Sequence, residues 1–598
     1  MTLLQSLDGY YARMAARGEA EPPGFSREKI GFAIFLSAGG EPVGVRDLRH
    51  QDSKKRVPQM LAVPCLPAKR TVGVVANLFW DKTAYALGRT AGEGRRTLRE
   101  HAQFKADNLA LIGDSADAGL AAFARFLHAW QPAQFDGAPF TPDMLDANVV
   151  FALDSDLAYL HERPAAMRLL EARAGGAGPV ALCLVTGTEA PIARLHPSVR
   201  GVEGAQSAGA SLVSFNLDAF TSYGKSQGEN APTSEAAAFR YGQALNRMLD
   251  RGSKNRLKRP IGDASVMFWA DTSETVDEAQ AAAAETAFAW LASPPDDDSE
   301  RAKLGTALEL LLQGRPVAEL ALGIAAGTRF HVLGLAPNAA RLAVRFWLTD
   351  SIDVFAARLA EHYRDLAIEP APWRQPPSIR YLLMRTVALQ EKPENVPPLL
   401  AGEVMRAVLT GAPYPRSWLA AAIARLRAGD DPATGWHAAA IHAVLARLSR
   451  YGQGVTPPMS LNRDSDDPAY NCGRLFATLE NAQRSALGGN VNATIRDRYM
   501  GAASATPASI FPLLIKNAQN HLGKLRKDRR GSWIEREIED IQDKIAFVNG
   551  TGYPRSLKLE QQGRFFLGYY HQRRAQFARA AQLGETIAHD EEQPEDGQ

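Results

Sequence analysis

RFHVLGLAPNAARLAVRFWLTDSIDVFAARLAEHYRDL, residues 329–366, is where the chain changes its period. Two apolar runs, 329–335 and 341–348, flank Pro337 and Asn338, residues suited to a turn. That pattern predicts a β-hairpin. From residue 352 the apolar side chains recur at three- and four-residue spacing, which predicts helix. Helical patterns continue in SIRYLLMRTVAL, PLLAGEVMRAVLTG, SWLAAAIARLRAG and WHAAAIHAVLARLSRY, broken by Pro-containing loops. Upstream the chain reads differently. Residues 1–20 and 95–129 read as helix. Residues 29–37 (KIGFAIFLS), 72–80 (VGVVANLFW), 148–153 (NVVFAL), 180–186 (VALCLVT), 211–217 (SLVSFNL) and 265–270 (SVMFWA) are strand-length apolar runs. A charged helical stretch between 153 and 180 suggests a β-α-β passage over 148–186. The fold class expected is therefore an α+β N-terminal half followed by mainly α domains, ending in a C-terminal helical bundle.

Turn-forming stretches place the boundaries. SPPDDDSE closes an Ala- and Glu-rich segment at 275–300, and GQGVTPPMSLNRDSDDP covers 452–468. These give an α+β domain at 1–275, a mixed then mainly α domain at 276–452 and a helical bundle at 453–584. Residues 585–598 hold six acidic side chains and neither Lys nor Arg, a composition expected of a disordered tail.

At 598 residues the chain exceeds what one hydrophobic core organises. Apolar content of 45% and charged content of 22% are those of a globular protein. No run of 18 apolar residues occurs, so no membrane-spanning helix is expected. The first 25 residues read as an amphipathic helix and not a secretion signal. Cys65, Cys183 and Cys472 lie more than 100 residues apart. That spacing excludes a CxxC zinc pattern and argues for a reducing cytoplasm. The net charge of +2 says nothing for or against nucleic acid, because only segregation of charge matters there.

Catalytic patterns are missing. The sequence holds no GxxxxGK[ST], HExxH or GxSxG. Gly175–Gly178 sit in AGGAGP, which reads as a loop. His437 and His442, five apart, fall on different helix faces and do not suit a metal pair. Asp154 and Asp156 follow a strand, where nucleases keep metal carboxylates. An N-cap for the next helix is the favoured reading, since no third acidic ligand is near.

Three segments suit nucleic acid. DSKKRVP (52–58), with Lys54 and Lys55, lies ahead of Lys69, Arg70 and VVANLFWDKTAYALG, in which Asn77 and Lys82 flank Phe79 and Trp80. Cations clamp phosphates, and an amide held by rigid aromatics reaches base edges. SFNLDAFTSYGKSQGENAPTS (214–234) holds one cation, Lys225, among Ser226, Gln227, Asn230 and other small hydrogen-bonding residues. Gly224 and Gly228 permit close backbone approach, and Thr233 or Ser234 can cap the helix that follows. KNAQNHLGKLRKDRR (516–530) carries six cations and one acid. Lys524, Lys527 and Arg530 repeat at three-residue steps there, with Lys516 and Arg529 nearby, which suits a phosphate backbone. In RFFLGYYHQRR (564–574), burial of Phe565, Phe566, Tyr569 and Tyr570 in the bundle is favoured over base stacking.

NLFWDKTAYALG (77–88), SFNLDAFTSYGKSQGENAPTS (214–234), RPIGDASVMFWAD (259–271), RFHVLGLAPNAARLAVRFW (329–347), NCGRLFATLE (471–480) and RFFLGYYHQRR (564–574) resemble, in order and over nearly the whole chain, the large-subunit family of type I-C CRISPR Cascade complexes. The resemblance implies a subunit near the 5′ handle of the CRISPR RNA, acting in antiviral defence. Such a subunit reads a protospacer-adjacent motif in target double-stranded DNA, promotes duplex opening and R-loop formation, and helps recruit a helicase–nuclease. It implies Cascade backbone and handle-binding subunits as partners, and no catalytic residue, metal, cofactor or membrane. Carried onto this sequence, Lys54, Lys55, Asn77, Lys82, Lys225, Ser226, Gln227 and Asn230 are expected at the adjacent motif. Lys516, Lys524, Lys527, Arg529 and Arg530 are expected on the displaced strand. Two other readings stand beside it: a metal-dependent nuclease using Asp154 and Asp156, and an all-α scaffold without base reading. The resemblance further implies a small subunit translated internally from the C-terminal region, for which Met459 is a suitable start. A C-terminal tag should then reveal a second, short band on a western blot, and a full-length band alone rejects the internal start.

Overall fold

The computed structural model describes residues 2–591 except 53–54, 66–72, 175–178, 216, 294–305, 312, 314, 316–318, 320–322, 374–376, 389–391, 489–492, 528–530 and 550–551. The chain forms two compact units. One comprises Met1–Gly201, Ala205–Asp250 and Asn338–Leu342, the other Val202–Gly204, Arg251–Pro337 and Ala343–Gln598.

The first unit begins with α1 (Leu3–Ala16), closed by a capping box between Thr2 and Gln5. Strands β1 (Phe25–Ile30), β2 (Phe32–Leu36), β3 (Pro42–Asp47), β4 (His50–Asp52), β5 (Lys55–Val57), β6 (Gln59–Pro64) and β7 (Trp80–Lys82) follow. Helices α2 (Thr83–Ala86), α3 (Thr97–Ile112) and α4 (Ala118–Ala129) precede β8 (Asn148–Leu153). A four-stranded sheet in the order β3-β2-β8-β7 carries the core. Its central pair, β2 and β8, is parallel, with Phe32 opposite Val149. Both strands are almost wholly buried, as a central pair with both faces covered must be. Phe104 of α3 and Phe123 and Phe126 of α4 pack on Phe151 of β8, the closest ring pair being Phe123–Phe151 at 4.7 Å.

Three expectations for this unit are corrected. The run 72–80 is not a strand. Among its described residues only Trp80 joins the ladder, opposite Val150. Its backbone is held by buried side chains instead: Asn77 N–H donates to Asp81 (2.9 Å) and Phe79 N–H to Asn108 (2.7 Å). Phe79 sits at φ 65°, a conformation no strand contains. The β-α-β passage is also absent. After α5 (Pro164–Ala174), β9 (Val180–Leu182) turns back onto β10 (Glu189–Pro191) as an antiparallel ribbon, while β8 stays in the four-stranded sheet. Val180 and Leu182 are exposed and lack the covered faces a parallel strand requires. Finally, the run 211–217 contributes to sheet only at its start. β11 (Ser198–Val199) pairs with β12 (Ala210–Ser211), and Ser211 pairs with Arg341. Then comes α6 (Glu235–Leu249).

In the second unit β13 (Ser265–Ala270) pairs antiparallel with β14 (Arg329–Asn338), and β14 and β15 (Arg341–Ser351) are the expected hairpin. α7 (Glu278–Ala292) covers β13. α8 (Ile352–Asp365) starts at Ser351, whose hydroxyl accepts from Val354 N–H, so strand passes into helix without a loop. α9 (Ile379–Arg385), α10 (Pro398–Thr410), α11 (Arg416–Arg427) and α12 (Trp436–Arg450) follow. Then come α13 (Pro468–Leu487), α14 (Ile495–Ala503), α15 (Pro507–Lys527), α16 (Ser532–Asn549) and α17 (Leu559–Glu591). The last of these runs into the acidic segment 585–598, whose final seven residues lie outside the described ones. α13 and α17 form the axis of the bundle. Gly473 of α13 lies against the Phe565 carbonyl, and Gly568 of α17 against the Tyr470 carbonyl. A β-carbon at either place would fall inside the opposing oxygen. Phe565, Phe566, Tyr569 and Tyr570 are buried around this crossing. One ion cluster is buried as well: Arg447 donates to Asp365 from Nε (2.7 Å), and Arg450 also pairs with Asp365.

Two stability outcomes follow. Gly568→Ala should lower the urea midpoint, with an overpacking cost of about 1–3 kcal/mol that outweighs the gain in helix propensity. Gly501→Ala in α14, where nothing crowds the new methyl, should raise it. Equal shifts for the two would refute the crossing. Acid should also destabilise the protein early. Burial lowers His161, His196 and His571 to about 4 and His362 and His437 to about 3. These imidazoles stay neutral when folded and take up protons near pH 6.5 when unfolded. Stability is therefore full above pH 6.5 and falls as pH drops through 4 toward 3. Urea midpoints at pH 7, 6 and 5 test the sign.

Candidate nucleic-acid interface

The polar segment before α6 is an ordered loop. A 3-10 turn, Asp218–Phe220, has the Arg341 guanidinium over its Phe220 ring at 4.6 Å. Ser222–Lys225 then reverse the chain, with Lys225 N–H donating to the Ser222 carbonyl at 2.9 Å. Tyr223 (φ 51°) and Gly224 (φ 72°) both lie in the left-handed region, the pattern of a type I′ turn. Gly224 thus serves the turn itself and not the approach of a ligand. A second 3-10 turn, Gln227–Asn230, is capped by Ser226, whose backbone N–H donates to Glu229 at 2.9 Å.

Two ties fix this loop. The Asn230 amide donates to the carbonyls of Lys225 (3.2 Å) and Gln227 (3.0 Å). Gly228, buried, packs its Cα on the Ala193 carbonyl and donates its N–H to Arg194 at 3.1 Å. Behind the loop, Leu184 N–H donates to Pro232 and Ala193 N–H to Thr233. Ser234, and not Thr233, caps α6 by accepting from Ala237 N–H. Its own N–H donates to Cys183 Sγ at 3.2 Å.

Four predicted residues therefore come together here. Lys225 and Ser226 are exposed, while Gln227 and Asn230 are half-buried. Asn230 spends its NH₂ group inside the loop, and among the described residues its oxygen accepts no hydrogen bond. Exposed Arg194 stands beside the loop. It was missed because it lies some thirty residues upstream of the loop and joins it only through the Gly228 bond.

The other predicted residues stand on other elements. Lys82 is exposed at the start of α2, but Asn77 is only 9% exposed and lies behind the Asp81 and Asn108 hydrogen bonds. Lys55 pairs through its backbone with Asp52 in the β4–β5 ribbon. Lys54, Lys69 and Arg70 lie outside the described residues. This edge also carries Arg46 and Arg49, which the sequence did not single out. Arg49 and Arg56, the third cation of DSKKRVP, both pair with Asp47, at 2.8 and 2.9 Å. The Arg49 hydrogen bonds pull the Asp47 carboxyl down to about 2. Arg46 and Arg49 lie over the rings of Phe35 and Phe32.

Asp154 donates its N–H to the Leu36 carbonyl. Asp156 accepts from Ala158 N–H and from Arg163, which Asp117 also binds. Neither forms the helix cap expected of it. Asp117, the acid that shares Arg163, caps α4. Among the described residues no three His, Cys, Asp or Glu side chains are placed to hold a metal ion.

On α15, Lys516, Lys524 and Lys527 are all exposed. At 100° per residue they share one side of the helix. Arg526 leaves that side to pair with Glu535 at 2.6 Å. Burial lowers the His521 pKa, and the charge of Lys524 adds to the effect. Arg529 and Arg530 lie outside the described residues.

The glycine tie predicts a local effect. Gly228→Ala should shift the 222–230 loop while leaving global unfolding nearly unchanged, read as faster amide exchange confined to that loop. Unaltered exchange there would refute the tie.

The model of the family described as CRISPR-associated protein (Cas_Csd1) matches residues 7–577. No curated protein matches the chain.

Proposed function

The chain belongs to the Cas_Csd1 family of CRISPR-associated proteins, and we propose that it is the large subunit of a type I-C surveillance complex that reads the adjacent motif in double-stranded DNA. The observation that carries this reading is the 222–234 loop. It offers a lysine, a hydroxyl and two amide side chains from a backbone fixed by Gly228 and Asn230. A rigid, hydrogen-bonding, weakly charged loop suits base edges better than phosphates alone. Lys225 and Lys82 hold phosphates in this reading, and Ser226, Gln227 and the free oxygen of Asn230 meet base edges. Lys55 and its neighbours on the β4–β5 ribbon add backbone contacts. The lysine side of α15 suits the displaced strand, since a row of cations with few acids holds phosphates regardless of sequence.

The reading assigns the protein no catalysis of its own. Base pairing by the CRISPR RNA reads the target, and a separate helicase–nuclease destroys it. Backbone and handle-binding subunits and a small subunit complete the assembly, in the cytoplasm. Among the described residues no helix is long and apolar enough to cross a membrane.

Gel-shift titrations of the assembled complex at several salt concentrations test the division of labour. Lys524→Ala should weaken binding evenly across sequences and reduce the salt slope by about one. Asn230→Ala should leave the slope alone and relax discrimination of the adjacent motif by about 1–3 kcal/mol. Identical behaviour of the two variants rejects the assignment. Cleavage of target DNA by the purified complex in magnesium without the partner nuclease, abolished by Asp154→Ala, would favour the enzyme reading instead.

A further inference from the structure

Tyr223 is fully exposed, at 100% of its accessible surface. Its backbone lies at φ 51°, where a side chain with a β-carbon costs about 1 kcal/mol or more. Gly, Asn or Asp fits such a position better. The turn that presents the ring is nevertheless well determined. Lys225 N–H closes it onto Ser222, and the Asn230 amide holds the Lys225 carbonyl behind it. The strained site thus aims an aromatic ring at solvent from a fixed base, and strain of this kind collects where a ligand is met. Two exposed cations belong to the same loop and its support: Lys225 closes the turn that carries the ring, and the Arg194 carbonyl receives the Gly228 N–H. Among the described residues neither has an acidic partner.

We propose that Tyr223 is a stacking platform for an unpaired nucleobase, with Lys225 and Arg194 holding the phosphates on either side of that base. The chemistry is that of single-strand binding, where a ring face accepts any base and cations follow the backbone. A paired base offers no free face, so the platform engages a base only where the duplex has opened. The inference rests on the reading of this loop as facing DNA. It adds a contact that depends on strand opening and not on the identity of the base.

The test uses the assembled complex with three variants: Tyr223→Asn, Tyr223→Trp and Lys225→Glu. Asn accepts a positive φ, so Tyr223→Asn removes the ring without unfolding the turn. The probes are duplexes carrying 2-aminopurine at successive positions from the adjacent motif into the target. Binding by the unaltered protein should quench one position strongly. Tyr223→Asn should abolish that quench and weaken binding about 5- to 150-fold, the worth of one base–aromatic stack. Tyr223→Trp should keep both. Unchanged binding and quenching in Tyr223→Asn, with Lys225→Glu still weakening the complex, overturns the platform and leaves the DNA-facing loop standing. If neither Tyr223→Asn nor Lys225→Glu alters binding, the loop does not face DNA and both readings fall. Loss of the Tyr223→Asn chain from the purified complex would assign the ring to a protein contact and also overturn the proposal.

Discussion

The protein depends on places where backbone touches backbone with no side chain between. In the helical unit Gly473 and Gly568 let α13 and α17 cross with the Phe565 and Tyr470 carbonyls in their path. The aromatic belt of Phe565, Phe566, Tyr569 and Tyr570 can close only because the helix axes are that near. In the other unit Gly228 lets the 222–230 loop rest on the Ala193 carbonyl. One constraint, the absence of a β-carbon, thus serves a core in one unit and an ordered surface loop in the other. A glycine in mid-helix costs about 1 kcal/mol in propensity. The contacts it permits must exceed that cost.

Charge is handled in two opposite ways. Inside the helical unit Asp365 is 1% exposed and is shared by Arg447, Arg450 and the Tyr414 hydroxyl. A carboxylate cannot remain ionised there without such partners. Arg463 and Gln572 converge on Glu537 in the same manner. On the surface the pattern reverses. Lys225 and Arg194 stand without acidic partners among the described residues, and Lys516, Lys524 and Lys527 are exposed along α15. A chain of net charge +2 therefore keeps local positive surfaces by committing many of its other arginines to buried or half-buried pairs.

The sequence by itself determined the order of secondary structure wherever one face of an element is buried. The hairpin at 329–351, the strands at 148–153 and 265–270 and the helices from 352 onward all stand where their periodicity put them. It also marked the 214–234 loop, because a long run of small polar residues cannot form core. Three things were decided by tertiary structure. Ala76–Phe79 is buried yet not a strand, because Asp81 and Asn108 supply the hydrogen bonds a ladder would have supplied. Residues 180–186 have the composition of a strand, but only three form one, with Val180 and Leu182 exposed on one face. Asn77 looked accessible beside its aromatics and is buried, whereas Tyr223, which the sequence did not single out, is fully exposed. Periodicity reports which side of an element is apolar. It does not report which distant side chain takes a backbone hydrogen bond, nor which way a turn of positive φ points its ring, and those facts arise only when the chain has closed on itself.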